Sequence, residues 1–105
     1  MTKVQFFEQG GRLTGFSLSG HSSADANDET GKLVCAAVSS AAYFAANTIT
    51  DVIGAKASVS VTDAAMRLRV QNPDPRTDAV LAGLKLHLEQ LSAQYESKIK
   101  LTTEV

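Results

Sequence analysis

The sequence predicts an α/β protein, more closely an α+β two-layer sandwich, in which two helices cover one face of a mixed, mostly antiparallel sheet. Two stretches carry apolar residues at helical spacing, and the shorter stretches around them alternate between apolar and polar residues as strands do. The predicted order is ββαββαβ, and hairpin connections make much of the sheet antiparallel. Amphipathic helices bury their apolar stripes against a sheet, which gives two layers.

The first two strands are predicted at residues 3–8 and 12–18. Gly10 and Gly11 lie between them and favour a tight hairpin turn, because glycine adopts positive φ without steric cost. His21 follows the end of the second strand, a position where a rigid scaffold supports functional loops.

Residues 20–31 are small and polar and contain three carboxylates, which is typical of a solvated loop. A second interpretation is a mobile flap, hinged at Gly20 and Gly31, that covers a bound peptide. The two interpretations are compatible.

The first helix is predicted to begin near Gly31 and to run to about Ile53, with Gly54 as its stop signal. The predicted buried stripe consists of Val34, Val38, Ala41, Ala45, Thr48 and Val52. The helix holds the single cysteine of the chain, Cys35. Near a helix start, unpaired N–H groups and the helix dipole stabilise a thiolate, the reactive form. The alternative is a buried and unreactive thiol.

A second hairpin is predicted from residues 56–62, a turn at Asp63-Ala64, and a following strand of clear alternation. The alternating residues of that strand are Met66, Arg67, Leu68, Arg69 and Val70. The two arginines therefore lie on the sheet face opposite the helices. Simple solvation accounts for them, and contact with RNA or an acidic partner is the alternative.

The second helix is predicted to begin at Pro75, with Asp74 as its N-cap, and to end near Tyr95. Its predicted buried stripe is Val80, Leu84, Leu88, Leu91 and Tyr95. His87 flanks this stripe, and nothing near it in sequence suggests a site, so we assign it a structural or surface role. Residues 97–103 form the fifth predicted strand.

Composition restricts the classes of function. The 105 residues fit one domain, 1–105, with a modest core. A net charge of −1 does not favour nucleic acid as a direct partner. One cysteine excludes an intrachain disulfide and a cysteine-rich zinc site, and we expect no metal and no cofactor. Without an apolar leader or a membrane-length apolar run, we expect a cytoplasmic protein that keeps its thiol reduced.

Two separate motifs resemble the ribosomal-processing cysteine protease family, Prp. Gly20-His21 precedes Val34-Cys35-Ala36-Ala37-Val38-Ser39, and Cys35 lies fourteen positions after His21. The family pattern is Gly-His-Ala, a variable glycine-containing loop, and then Asp-Ile-Val-Cys-Ala followed by small residues and Ser. Length and element order also match, so the resemblance covers essentially the whole chain. Ser22 replaces the family Ala, and Lys32 replaces the family Asp.

The resemblance implies a cysteine endopeptidase with His21 and Cys35 as its catalytic pair. The thiol attacks a peptide carbonyl to form a thioester, and the imidazole moves the proton. The predicted substrate-binding residues are Gly20, Ser22, Ala36 and Ser39. The implied substrate is the N-terminal extension of large-subunit ribosomal protein number twenty-seven, which the family removes after a Phe-Ala pair during ribosome maturation, in Firmicutes and their relatives.

The resemblance also implies a homodimer, with Phe7, Tyr43 and Phe44 as candidates for the interface; core packing is the simpler explanation of each. The Lys32 substitution raises an alternative function, a ribosome-associated protein that binds the extension without cutting it. Lysine cannot accept a hydrogen bond, so it cannot orient an imidazole as an aspartate does, although its charge can favour a thiolate.

Another group in the loop is an alternative support for His21. Asp25, Asp28 and Asn27 are the candidates, and a simple pair without a third member is equally compatible with the sequence. A thiol redox sensor is the weakest hypothesis, because the chain has no resolving cysteine.

Overall fold

The computed structural model describes residues 1–21, 25–63 and 65–105. The elements in chain order are β1 (Thr2–Gln9), β2 (Arg12–Ser19), α1 (Glu29–Asn47), β3 (Ala57–Thr62), β4 (Ala65–Val70), α2 (Pro75–Gln94) and β5 (Ile99–Glu104). A π-helical turn, Thr48–Val52, continues α1. The predicted ββαββαβ order and the two-layer α+β class are confirmed.

The five strands form one mixed sheet in the order β3-β4-β2-β1-β5. The pairing of β1 with β5 is parallel, and the pairings of β1 with β2, β2 with β4 and β3 with β4 are antiparallel. Gly10 and Gly11 form the first hairpin turn with φ of 58° and 76°, the left-handed region that this turn requires. The sheet is therefore mixed and mostly antiparallel, as predicted.

A single core lies between the sheet and the helices. Its sheet side includes Val4, Phe6, Phe16 and Leu68, all at most 1% exposed. Both helices contribute to the same cluster, because their apolar stripes face the sheet. The two-layer arrangement leaves the opposite sheet face without a covering element among the described residues.

The start of α1 differs from the prediction. The helix begins at Glu29, and Asp28 is its N-cap, with Asp28 Oδ1 accepting from the Gly31 N–H at 2.9 Å. Gly31 is buried within the first turn and therefore does not act as a flexible start or as the second hinge of a flap. The helix extends further towards the N-terminus because the Asp28 side chain satisfies one of its first N–H groups, that of Gly31. The flap prediction also covers residues 22–24, which lie outside the described residues.

The buried face of α1 also differs from the prediction in its second half. Ala45 is buried there as predicted, but Ala42, Ala46 and Ile49 are buried as well, whereas Val52 is 79% exposed. Small residues occupy both faces of this segment, so periodicity alone could not choose between them. The π-helical turn, closed by the Ile53 N–H donating to the Thr48 carbonyl oxygen at 2.8 Å, also changes the spacing near the end.

The stretch Glu29–Val52 is long and apolar enough, by length and composition, to cross a membrane. The core helices of soluble proteins pass the same test. Here the apolar residues of the stretch have a packing role, because Val34, Val38, Ala42 and Ile49 belong to the core beneath it.

The start of α2 agrees with the prediction. Asp74 caps it by accepting from the Arg76 and Thr77 N–H groups, and Thr77 Oγ1 accepts from the Asp74 N–H, which completes a capping box ahead of Pro75. The fully buried residues on α2 are Thr77, Leu81, Leu84 and Leu88. The prediction thus missed Thr77 and Leu81. It overstated the burial of Tyr95, which caps the other end of the helix and is partly exposed.

Candidate active site

A small cavity of about 130 Å³ lies near the junction of β2, α1 and the β3–β4 turn. Its lining consists of Thr2, Leu18, Gly20, His21, Cys35, Val38, Ser39, Tyr43, Val61, Thr62, Asp63, Ala65 and Met66. We call it the thiol cavity. It contains both histidine and cysteine of the predicted pair and two of the four predicted substrate-binding residues, Gly20 and Ser39.

Cys35 lies in the second turn of α1, as the seventh helical residue, and its side chain is partly buried. This position weakens the expectation that the start of the helix stabilises a Cys35 thiolate. The helix dipole acts mainly within the first turn, and the Asp28 side chain already occupies the first-turn Gly31 N–H. The helix dipole therefore stabilises a Cys35 thiolate less than it would stabilise a thiolate in the first turn.

A threonine hydroxyl lies beside the sulfur. Thr2 Oγ1 is 4.0 Å from Cys35 Sγ, and Thr2 is 2% exposed. The Thr2 N–H donates to the Lys98 carbonyl oxygen at 2.8 Å, which ties the start of β1 to the start of β5. The sequence analysis missed Thr2. Its alternation with Val4 and Phe6 was the available signal, because it places Thr2 on the helix side of β1.

His21 stands exposed at the rim of the thiol cavity, directly after β2. Gly20 precedes it with φ of 85°, and a Cβ at Gly20 would lie 2.6 Å from the Met1 carbonyl oxygen. The amino group of Met1 donates to the His21 carbonyl oxygen at 2.5 Å. Glycine is thus required where the backbone turns towards the cavity and passes close to β1.

The loop residues considered as supports for His21 have other contacts. Asp28 caps α1 and forms an ion pair with Lys98 at 2.5 Å, with both side chains largely buried. Asp25 Oδ1 accepts from the Asn27 N–H at 2.8 Å. Lys32 Nζ donates to the Ala26 carbonyl oxygen at 2.5 Å, so this lysine braces the loop ahead of α1.

Asp63 is the carboxylate on the wall of the thiol cavity, among the residues that the structure describes. It comes from the β3–β4 turn. The sequence analysis missed Asp63 because it lies in a predicted tight turn, where a structural role in the turn is enough to explain an aspartate. Only the strand order brings this turn beside β2, where His21 follows.

The remaining predicted residues lie elsewhere. Ala36 is exposed on α1 but does not line the thiol cavity, and Ser22 lies outside the described residues. His87 borders a separate groove between α1 and α2. Within residues 1–21, 25–63 and 65–105, no group of three or more His, Cys, Asp or Glu side chains could hold a metal ion.

The proposed interface residues are dispersed. Tyr43 lines the thiol cavity, and Phe44, 74% exposed, borders the groove between the helices. Phe7 is only 6% exposed and lies on the opposite sheet face beneath Arg67 and Arg69. Phe7 is therefore not available as an exposed contact.

Comparison with solved structures identifies the fold. The chain superposes on the ribosomal processing protease Prp of Staphylococcus aureus, solved with a substrate peptide, with a TM-score of 0.88 at 18% identity, covering 99% of this chain and 100% of the other. The same protease solved with a covalently linked product peptide gives 0.87 at 18% identity and the same coverage. The protein SMU.848 of Streptococcus mutans gives 0.86 at 17% identity, covering 98% and 96%.

The two comparisons made on the sequence differ in their outcome. No curated protein sequence matches the chain at a significant level. The sequence model of the family described as cysteine protease Prp matches residues 1–100, which is nearly the whole chain. Since the match spans both the Gly-His and the cysteine motif, the chain belongs to the Prp family of cysteine proteases.

Proposed function

We propose that this chain is a cysteine endopeptidase that removes the N-terminal extension of a large-subunit ribosomal protein, number twenty-seven, in the cytoplasm during ribosome maturation. The observation that carries the proposal is the shared cavity of His21 and Cys35, two residues from different motifs of a protease family. The family relative of Staphylococcus aureus bears a substrate peptide and a covalently linked product peptide in its solved structures, which supports the same class of reaction.

The proposed reaction is acyl transfer through the sulfur. His21 takes the Cys35 proton or holds the thiolate as an ion pair, and the thiolate attacks the substrate carbonyl carbon. Hydrogen-bond donors outside the α1 backbone stabilise the developing oxyanion, because the N–H groups beside Cys35 are bonded within the second turn of the helix. The C–N bond then breaks, His21 gives its proton to the leaving amine, and water releases the acyl group from the thioester.

The shape of the cavity suits a peptide with small residues at the cut. Gly20 and Ser39 keep its rim low, while Leu18 and Met66 provide apolar walls. A cavity of about 130 Å³ has little room for a large side chain beside the sulfur. This agrees with a cut after alanine, the residue that the family resemblance implies.

A second candidate function is binding of the extension without cleavage. The observation in its favour is Lys32, which stands where the family pattern has an aspartate. Its amino group donates to the loop backbone, and the carboxylate of the family pattern is missing at this position. Asp63 offers a replacement carboxylate on the cavity wall, which favours the enzyme.

We also propose that the protein is a homodimer. The groove between α1 and α2, about 670 Å³, is lined mainly by small and apolar residues, and Phe44 stands exposed at its edge. In a two-fold dimer the same patch serves both copies, so each Phe44 ring fills the groove of the other copy. Phe44→Ser is expected to convert the dimer to a monomer in light scattering, while Leu86→Ser, at another exposed apolar residue of the helix layer, leaves it unchanged.

The deciding experiment measures cleavage of a peptide that carries the extension. We expect the purified chain to cut it and Cys35→Ala to cut none, with an unchanged circular dichroism spectrum. Iodoacetamide labelling across pH then separates the two candidates. Rapid alkylation below neutral pH supports the protease, and a thiol that behaves like free cysteine, in a chain that binds the peptide intact, supports the binder. Unchanged turnover by Cys35→Ala would refute the assignment of the nucleophile.

A further inference from the structure

The sheet face opposite the helices carries a concentration of positive charge. The strand registers bring Lys3 of β1 and Lys100 of β5 to this face, together with Arg67 and Arg69 of β4. We call these four residues and the strand positions between them the basic sheet face. Each of the four side chains is exposed.

This charge does not follow from the composition, because the whole chain has 11 acidic against 10 basic residues. Among the described strand residues of the basic sheet face there is one carboxylate, Glu104, and it accepts from Gln5 Nε2 at 3.0 Å. The fold therefore separates charge, and a partner for this face is anionic.

Two of the cations face each other directly. Lys3 and Lys100 are paired across the parallel β1–β5 ladder, so their side chains leave the sheet side by side. Like charges in directly opposed positions destabilise a sheet. An anion bound between the two ammonium groups would remove that repulsion.

The other two cations are held in place by an aromatic ring. The guanidinium carbon of Arg69 lies 4.2 Å from the Phe7 ring centroid, and that of Arg67 lies 5.2 Å from it. Phe7 is nearly buried although no helix covers it, because these side chains lie across it. Gly15, next to Phe7 in the ladder, has no side chain to displace them. Stacked guanidinium groups keep their N–H edges available for phosphate oxygens.

Hydroxyl groups accompany both pairs of cations. Ser58 and Ser60 border a shallow depression of about 130 Å³ with Arg67 and Arg69. A second depression, of about 260 Å³, has Lys3, Lys100, Ser17, Ser19 and Thr102 among its lining residues. Arginine, lysine and hydroxyl donors are the groups that contact phosphate oxygens in nucleic-acid complexes.

We propose that the basic sheet face binds the phosphate backbone of RNA. Ser17 of the second depression is paired with Arg67 of the first across the β2–β4 ladder, so the two depressions adjoin and one strand of RNA can contact both. An acidic protein is the weaker match, because protein interfaces have an apolar centre. Val59 and Val61 are the exposed large hydrophobic residues within the described strands, and their pairing with the buried Leu68 and Met66 places them on the other sheet face. Binding is independent of base sequence, because phosphate contacts carry no base readout.

The test is fluorescence anisotropy with an unstructured, labelled RNA of about 20 nucleotides. Four phosphate contacts predict that log K falls with log salt with a slope of about −3, at about −0.7 per contact for a single strand. The double variant Lys3→Gln/Lys100→Gln is expected to weaken binding by about tenfold and to reduce the slope by about 1.4. The lysine double variant replaces no core residue and should therefore fold like the parent. We expect the same loss of affinity for Arg67→Ser/Arg69→Ser, and the folded lysine variant serves as its control.

The matched control is Arg76→Gln/Lys85→Gln, which removes the same charge from the helix layer and is expected to leave RNA affinity nearly unchanged. Equal losses in this control, or binding without salt dependence, would overturn the proposal. Polyglutamate that binds as tightly as RNA would also overturn it, in favour of an acidic protein partner. None of these variants lies in the thiol cavity, so cleavage of a short peptide should persist in all of them and tests the protease assignment separately.

Discussion

The thiol cavity and the groove between the helices differ in size and in the side chains that line them. The groove is about five times larger, near 670 Å³ against 130 Å³. Each has one histidine, His21 in the thiol cavity and His87 in the groove. Of the two, only the thiol cavity has a thiol, a buried hydroxyl and a carboxylate in its lining together with its histidine. An imidazole near a thiol and a carboxylate can act as a general base.

Substitution of the two histidines tests this contrast most directly, with the largest expected effect. His21→Gln should lower cleavage of the extension peptide by about 100-fold or more, since it removes the group proposed to move the proton. His87→Gln should leave cleavage unchanged, because its groove does not contain Cys35, the one thiol of the chain. The contrast fails if both variants lose activity equally while both remain folded.

The next largest effect is expected at Asp28, the N-cap of α1. Asp28 caps the helix that holds Cys35 and pairs with Lys98, so Asp28→Ala removes a cap and leaves the ammonium without this partner. We expect the free energy of unfolding in urea to fall by about 2 kcal/mol. The exposed Asp51, further along the same helical stretch, is the matched control, and Asp51→Ala should change it little. Similar losses in the two variants would contradict the role of the cap.

The hydroxyl beside the sulfur predicts a smaller effect. A hydroxyl that donates to the thiolate favours it, so Thr2→Val should raise the pH midpoint of iodoacetamide alkylation by about half a unit, a reduced effect because the contact is long. Thr2→Ser retains the donor and should restore the midpoint. A valine variant with an unshifted midpoint would show that Thr2 only fills space.

The smallest effect is expected at the start of α2, the helix whose later turns line the groove. The Arg76 side chain, and then the Thr77 N–H, lower the pKa of Asp74 below its ordinary value of 3.8. A lowered folded-state pKa means that this stabilisation is present above about pH 4 and is lost as the pH falls through the folded pKa. Asp74→Asn keeps a capping oxygen without the charge, so its thermal midpoint should approach that of the parent below pH 4. A constant difference at all pH values would contradict a contribution from the charge.

Local patterns in the sequence were enough for much of the fold. The Gly10-Gly11 turn, the alternation of β4 and the Asp74 cap each depend on neighbours within a few residues, and the structure has all three. The two motifs that carry His21 and Cys35 depend only on the order of residues along the chain, so the sequence by itself indicates the family.

The tertiary structure decided what depends on strand order and on packing. Thr2 and Asp63 join the thiol cavity from β1 and from the β3–β4 turn, and the second half of α1 buries Ala42, Ala45 and Ala46 but only partly buries the equally small Ala41. The cations of the basic sheet face gather in the same way, from strands far apart in a chain of nearly neutral charge. Periodicity reports which residues share a face of one element, whereas contacts between elements depend on register and topology, which no local pattern encodes.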